Sequence, residues 1–160
     1  MLISLNWLRD FVDLPRDVSP EEVGLRFTMT CAEVEGVERI DVGAKGLIAA
    51  YVREFHDLPG TRNLRRVVLD VGGGRTVATV TAAPVLRRNV GVVYAPPGAS
   101  LKTLGDIGES QVGGHASVGM ILPGDAIGIE MAAQTAIFLP PYVEPGDPLP
   151  ADLFDDWVME

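Results

Sequence analysis

Between residues 47 and 94 the chain alternates short apolar-rich runs with glycine and proline breaks, and this punctuation limits the fold more than any other feature. Leu47 to Phe55 reads as one strand, Leu64 to Val71 as a second and Arg75 to Ala82 as a third. Gly72-Gly73-Gly74 supplies a hairpin turn between the second and the third. Val90 to Tyr94 forms a fourth, stopped by Ala95-Pro96-Pro97-Gly98. Further short strand candidates lie at Ser110–Val112, Val118–Leu122 and Thr135–Leu139, with a short segment Ala126–Met131 after a turn at Pro123-Gly124-Asp125. Nothing between them reads as the helix of a βαβ unit, and no internal repeat is visible. Short strands at close spacing, in a chain with 18 glycines and 12 prolines, predict a mainly β fold: a small five-stranded barrel with few and short helices.

The front of the chain follows another rhythm. Leu5, Leu8, Phe11 and Val12 have helical spacing, with Ser4 or Asn6 available as cap and Leu14-Pro15 as stop. Ser19-Pro20-Glu21-Glu22 reads as N-cap, proline at the first helical position and capping-box glutamate, and Val23, Phe27 and Met29 are expected to face inward. Glu33 to Ile40 alternates as a half-buried strand, and Asp152 to Val158 reads as a helical turn. Residues 1–40 and 140–160 are both acidic and lie outside the barrel pattern. They are therefore expected to form one small subdomain, with residues 41–139 as the barrel.

At 160 residues, 47% hydrophobic and 22% charged, the chain is long enough and apolar enough for its own core, and disorder is excluded. No apolar run approaches the roughly 20 residues that span a bilayer, so no membrane partner is expected. The first residues carry neither a basic region nor a cleavage site, and Cys31 alone cannot form an internal disulfide; a cytoplasmic location is the expectation. The end at Val158-Met159-Glu160 has no polar tail, and the chain is expected to be a piece of a longer protein.

Charge is unevenly spread. The whole chain is at net −9, which argues against nucleic acid. Residues 45–102, however, hold nine basic side chains against three acidic ones. The basic groups are Lys45, Arg53, Arg62, Arg65, Arg66, Arg75, Arg87, Arg88 and Lys102. Residues 103–160 hold no basic and ten acidic side chains. With a Debye length of about 8 Å at physiological salt, acidic flanks across a small barrel are partly screened from an anion on the basic side. The arginines are read either as a binding face or as a solvated surface. Arg65 and Arg66, adjacent on a strand, must point to opposite faces.

The residues for catalysis are sparse. His56-Asp57 and the pair His115 and Ser117 are the only base-like arrangements, and isolated histidines in loops read as surface groups. No paired His or Cys spacing marks a metal site. The triple glycine lies between strands, where a phosphate loop does not form. Glu33 and Glu35 beside Cys31 disfavour a reactive thiolate. No catalytic residue and no metal ligand is assigned.

Several segments together resemble the bacterial phenylalanine–tRNA ligase β subunits. Leu2-Ile3-Ser4-Leu5-Asn6-Trp7-Leu8-Arg9-Asp10-Phe11-Val12-Asp13-Leu14 is similar to their start. Ser19-Pro20-Glu21-Glu22, Phe27-Thr28-Met29-Thr30 and Glu33-Val34-Glu35-Gly36-Val37-Glu38 follow in the family's order. Arg53-Glu54-Phe55-His56, Asn63 to Gly72, Ala83-Pro84, Ala95-Pro96-Pro97-Gly98-Ala99 and Ser117-Val118-Gly119-Met120 resemble that subunit's tRNA-binding-type OB domain. The family's His-Pro-Asn-Ala-Asp-Lys-Leu turn departs here to His56-Asp57-Leu58-Pro59-Gly60-Thr61-Arg62-Asn63-Leu64, which leaves Arg62 as the nearest cation. Its Cys-Gly-Ala-Pro-Asn becomes Thr81-Ala82-Ala83-Pro84-Val85.

The resemblance implies an OB-type barrel with a helical front. It implies a parent enzyme that joins phenylalanine to its tRNA with ATP and magnesium, and a catalytic α subunit and further β-subunit domains as partners. No cofactor is expected in this segment itself. Weak contact to the tRNA backbone is expected from Arg53, Arg62, Arg65, Arg66, Arg75, Arg87, Arg88 and Lys102. Aromatic side chains make up only 6% of the sequence, so base stacking is not expected to dominate. The alternative is a scaffold that packs against other synthetase domains without touching tRNA.

Overall fold

The computed structural model describes residues 2–15, 17–127, 134–150 and 153–160. In chain order the elements open with β1 (Ile3–Ser4), α1 (Leu5–Arg9), α2 (Pro20–Thr30) and β2 (Val37–Ile40). The long strands follow: β3 (Ile48–Asp57), β4 (Arg65–Asp70), β5 (Thr76–Thr81) and β6 (Gly91–Ala95). Then come β7 (Ser100–Leu101), β8 (Gly105–Asp106), β9 (Glu109–Val112), β10 (His115–Val118), β11 (Met120–Ile121), a 3-10 turn at Gly124–Ile127, and β12 (Asp156–Met159). They fall into two compact units, Met1–Asp41 with Phe154–Glu160, and Val42–Leu153.

In the smaller unit, β12 lies between β1 and β2 in an antiparallel sheet, with Ile3 opposite Met159 and Glu38 opposite Val158. The tail is thus a strand at Asp156–Met159, not the helical turn its Leu153, Phe154, Trp157, Val158 spacing predicts. Two partner strands satisfy its backbone, which a lone turn cannot match. Ser4 caps α1 by accepting from Trp7 N at 2.9 Å, and its hydroxyl donates to Asp156 Oδ2. Asp156 Oδ1 also accepts from Asn6 N at 3.0 Å, so one carboxylate ties the helix start to the central strand. Ser19 caps α2 through Glu22 N at 3.1 Å. The Glu22 carboxylate pairs with Arg26 one turn on, at 2.7 Å. Leu5, Val23 and Met159 form the core, with Phe27 packed against it. Met29 is 76% exposed, against expectation. Val23 and Phe27 are one turn apart on one face, and two further residues carry the helix round to the opposite side.

In the larger unit, five antiparallel strands in the order β11-β6-β3-β4-β5 curl into a half-barrel of OB type. The strands read between residues 47 and 122 are found, with bounds moved by at most two residues. Thr135 to Leu139 makes isolated bridges rather than a strand, Ala136 to Pro123 and Phe138 to Val92. The segment 126–131 lies outside the described residues beyond Ile127. Val52, Val67, Leu69, Val92, Tyr94 and Ile121 form the core of the curl. A bulge at Arg53, between Val52 and Glu54, bends β3.

The curl is held closed by polar side chains. Ser117 on β10 is buried, its Oγ 3.0 Å from Thr79 Oγ1 on β5 and accepting from Val80 N at 3.0 Å. Thr79 Oγ1 also donates to Gly119 O at 3.0 Å. Tyr94 donates to Val118 O at 2.7 Å, and burial, with the Glu109 carboxylate adding to it, pushes its phenol up to about 12. Gly119 sits at φ +63°, where a Cβ would lie 2.3 Å from Ala95 O and 2.6 Å from Tyr94 Oη. The Ser-x-Gly-Met segment is therefore a barrel latch: only glycine has both the backbone freedom and the room for that turn.

Candidate nucleic-acid interface

Strand β4 runs from one end of the barrel to the other, and its ends carry different chemistry. At the far end, Asp70 is buried beside the glycine hairpin. Its carboxylate accepts from Gly72 N at 2.9 Å and from the Arg53 guanidinium. Those two donors hold its carboxyl below the ordinary value of 3.8 despite burial. Arg53 is the bulged residue of β3, so the bulge aims it at Asp70.

At the near end, β4 begins with Arg65, opposite Asp57 at the end of β3. Arg65 Nε donates to Asp57 Oδ1 at 2.9 Å. Its Nη1 donates to Ala83 O at 3.2 Å and Pro84 O at 3.1 Å. Its guanidinium carbon stands 5.9 Å from the Phe55 ring centroid. Four contacts from two segments, the end of β3 and the loop after β5, thus fix the plane of one guanidinium.

That fixed group lines a groove of about 590 Å³, with its partner Asp57 at the end of β3, Thr61, Arg62, Asn63 and Leu64 from the β3–β4 loop, Ala82, Ala83 and Pro84 after β5, and Gln134. The β3–β4 loop is pinned by Leu58 N donating to Leu64 O at 2.9 Å, and by Thr61 Oγ1 donating to Leu58 O at 2.8 Å. Gly113, in the β9–β10 turn, stands so close to Leu64 that a Cβ there would lie 2.6 Å from Leu64 Cδ1. The groove is a built feature of the barrel end rather than a gap between mobile loops.

The cations named from the sequence separate accordingly. Arg62 and Arg65 line the groove together. Arg66 is exposed on the opposite face of β4, beside His56 of β3. Arg87 and Arg88 are exposed in the β5–β6 loop, which is anchored by Asn89 N donating to Val52 O at 2.7 Å. Arg75 is in the hairpin at the far end of β4, and Arg53 is committed to Asp70 there. Lys102 lies along Gly43, where a Cβ would meet its Cγ at 2.5 Å. Arg62, Arg66, Arg75, Arg87 and Arg88 have no carboxylate partner among the described residues.

Both histidines are on strands rather than in loops: His56 on β3, its Nε2 4.0 Å from Glu54 Oε2, and His115 on β10. Ser117 is spent on the barrel latch, so it does not pair with His115 as a nucleophile would. Among the described residues no three His, Cys, Asp or Glu side chains gather as a metal site, and no helix is long and apolar enough to cross a membrane. Asn63, Pro84 and Gln134 line the groove but are not among the site residues the sequence reading names. Asn63 and Pro84 stand inside segments that carry the family resemblance, whereas nothing local marks Gln134.

A curled five-stranded antiparallel sheet with a loop-bounded groove at one end defines an OB-type barrel domain, here with a small sheet-and-helix unit. No family model matches the chain. Similar proteins narrow the class. The chain is 34% identical over 161 residues to the phenylalanine–tRNA ligase β subunit of Anaeromyxobacter dehalogenans, covering all of the chain and 20% of that protein. The same subunit from Lactobacillus johnsonii is 31% identical over 169 residues, and that from Bacillus subtilis 30% over 167, again covering the whole chain and 21% of each relative. Over its whole length the chain is homologous to the N-terminal region of phenylalanine–tRNA ligase β subunits. It spans about a fifth of the length of the curated relatives it matches.

Proposed function

We propose that this chain is an accessory module of a phenylalanine–tRNA ligase that holds tRNA weakly, through its phosphates, at the groove end of the barrel. The observation that carries this reading is a set of uncommitted arginines: Arg62 in the groove, Arg66 on the other face of β4 at the same end, and Arg87 and Arg88 in the loop that continues from the Ala83–Pro84 wall. Arg62, Arg66, Arg87 and Arg88 are exposed and free of carboxylate partners among the described residues. OB barrels use such loop ends to hold oligonucleotides. In this reading, joining phenylalanine to tRNA, with ATP and magnesium, belongs to the complete enzyme and its catalytic subunit, and this segment activates nothing.

Phosphate contact is salt-dependent. If about four phosphates are neutralised, log K falls against log salt with a slope of about −3 to −4. Titrating the chain with unfractionated tRNA at about 50 mM and about 200 mM salt tests this. Alanine at Arg62, Arg66, Arg87 and Arg88 should abolish binding and Arg75→Ala should leave most of it. No binding at the lower salt refutes the reading.

A second reading, docking to another synthetase domain, is favoured by the small unit. Trp7 on α1 and Phe11 just past its end are 59% and 71% exposed and meet edge to face at 5.1 Å. Alanine at both should weaken assembly of a longer β subunit with its partner subunit and leave tRNA binding by the chain unchanged.

A further inference from the structure

The groove is built for more than charge. Arg65, its fixed cation, is already satisfied by Asp57 and by the carbonyls of Ala83 and Pro84. It therefore offers little unpaired charge to a phosphate, but it offers a flat guanidinium face in one orientation. Unstacked bases are held on such planes as well as on aromatic rings, with polar side chains reading their edges. Thr61, Asn63 and Gln134 supply donors and acceptors in the same groove, Pro84 an apolar wall, and Arg62 an unpaired cation. A volume of about 590 Å³ lies in the range of small-ligand sites.

We propose that this groove seats one unpaired nucleotide, its base against the Arg65 guanidinium and its phosphate on Arg62. This rests on the reading of the chain as an RNA-contacting module and deepens it from backbone contact to a seat for a single unstacked base. The nucleotide unit could come from an RNA strand or from a free nucleoside monophosphate, and the arms of the experiment separate the two.

The test uses the full 160-residue chain as wild type and as Arg65→Lys and Asn63→Leu. Lysine keeps the charge and removes the plane; leucine at an exposed loop position removes a base-edge donor and acceptor without changing charge or adding a ring, and thermal melting controls for folding. The probes are a mixed-sequence single-stranded RNA hexamer, a blunt RNA duplex with the same number of phosphates, AMP, and unfractionated tRNA. Electrostatics alone favours the denser charge of the duplex. The expected result is a preference for the single strand of about tenfold, lost in both variants while duplex binding persists. AMP that binds as tightly as the hexamer, and is lost in the same variants, assigns the seat to a free nucleotide. Equal binding of hexamer and duplex, or a preference that survives both variants, overturns the proposal. If tRNA still binds through the exposed arginines in that case, only the nucleotide seat fails. If no RNA binds at low salt, the tRNA-contact reading fails with it.

Discussion

The two ends of β4 each carry an arginine–aspartate pair, and the pairs are inverted. In Arg53–Asp70 the acid is the enclosed partner, 12% exposed against 55% for the arginine. In Arg65–Asp57 the arginine is the enclosed one, 27% exposed against 84% for the acid. The enclosed partner is the one with further bonds to backbone: Asp70 to the Gly72 amide, Arg65 to the Ala83 and Pro84 carbonyls. A buried acid takes donors from the hairpin and makes a closed, structural end. A half-buried arginine takes acceptors and leaves the face of its guanidinium on an open groove. The same two residue types thus give a lock at one end and a groove at the other.

Both ends depend on the curl between them, so the largest effect is expected at the latch. Gly119→Ala should cost about 3 kcal/mol or more, from left-handed strain and overlap with Ala95 O, read by urea unfolding. Asp70→Ala should come next, at about 1–3 kcal/mol, because it strips acceptors from Gly72 N and from Arg53. The Asp70 carboxyl is held below 3.8 in the folded state, so its stabilisation is present above that pH and is lost as pH falls through the folded value. The stability gap between wild type and Asp70→Asn should therefore be full near neutrality and shrink in acid, as chemical denaturation across pH would read. Arg65→Ala should cost about 1–2 kcal/mol, with faster amide exchange confined to the loops around Ala83. Asp57→Ala should stay within about 0.5 kcal/mol, since its carboxylate is solvated. A cost at Asp57 equal to that at Asp70 would erase the contrast between the ends.

The barrel strands were legible because half-buried strands alternate and glycine or proline ends them; Arg75 to Ala82 is the plainest case. The α2 start was legible from Ser19 and Pro20, whose capping is local. The last strand was not. The apolar spacing of Leu153, Phe154, Trp157 and Val158 mimics a helical face, while the partners that make the tail a strand, Ile3–Ser4 and Val37–Ile40, lie more than a hundred residues earlier. The arginines were visible as charge, and the opposite faces of Arg65 and Arg66 follow from strand geometry. Which of them are spent on structure was not visible: Arg53 meets Asp70 through a bulge, and Arg65 meets carbonyls across a loop. Gln134 reaches the groove from a segment with no local mark.

The central claim is that RNA meets the groove end of the barrel and not the hairpin end. Amide chemical-shift mapping of the labelled chain during titration with tRNA tests it most directly. The account predicts shifts concentrated in residues 57–66 and 82–90, with residues 70–76 unmoved. Shifts centred on the hairpin around Arg75, or confined to the small unit, would contradict it.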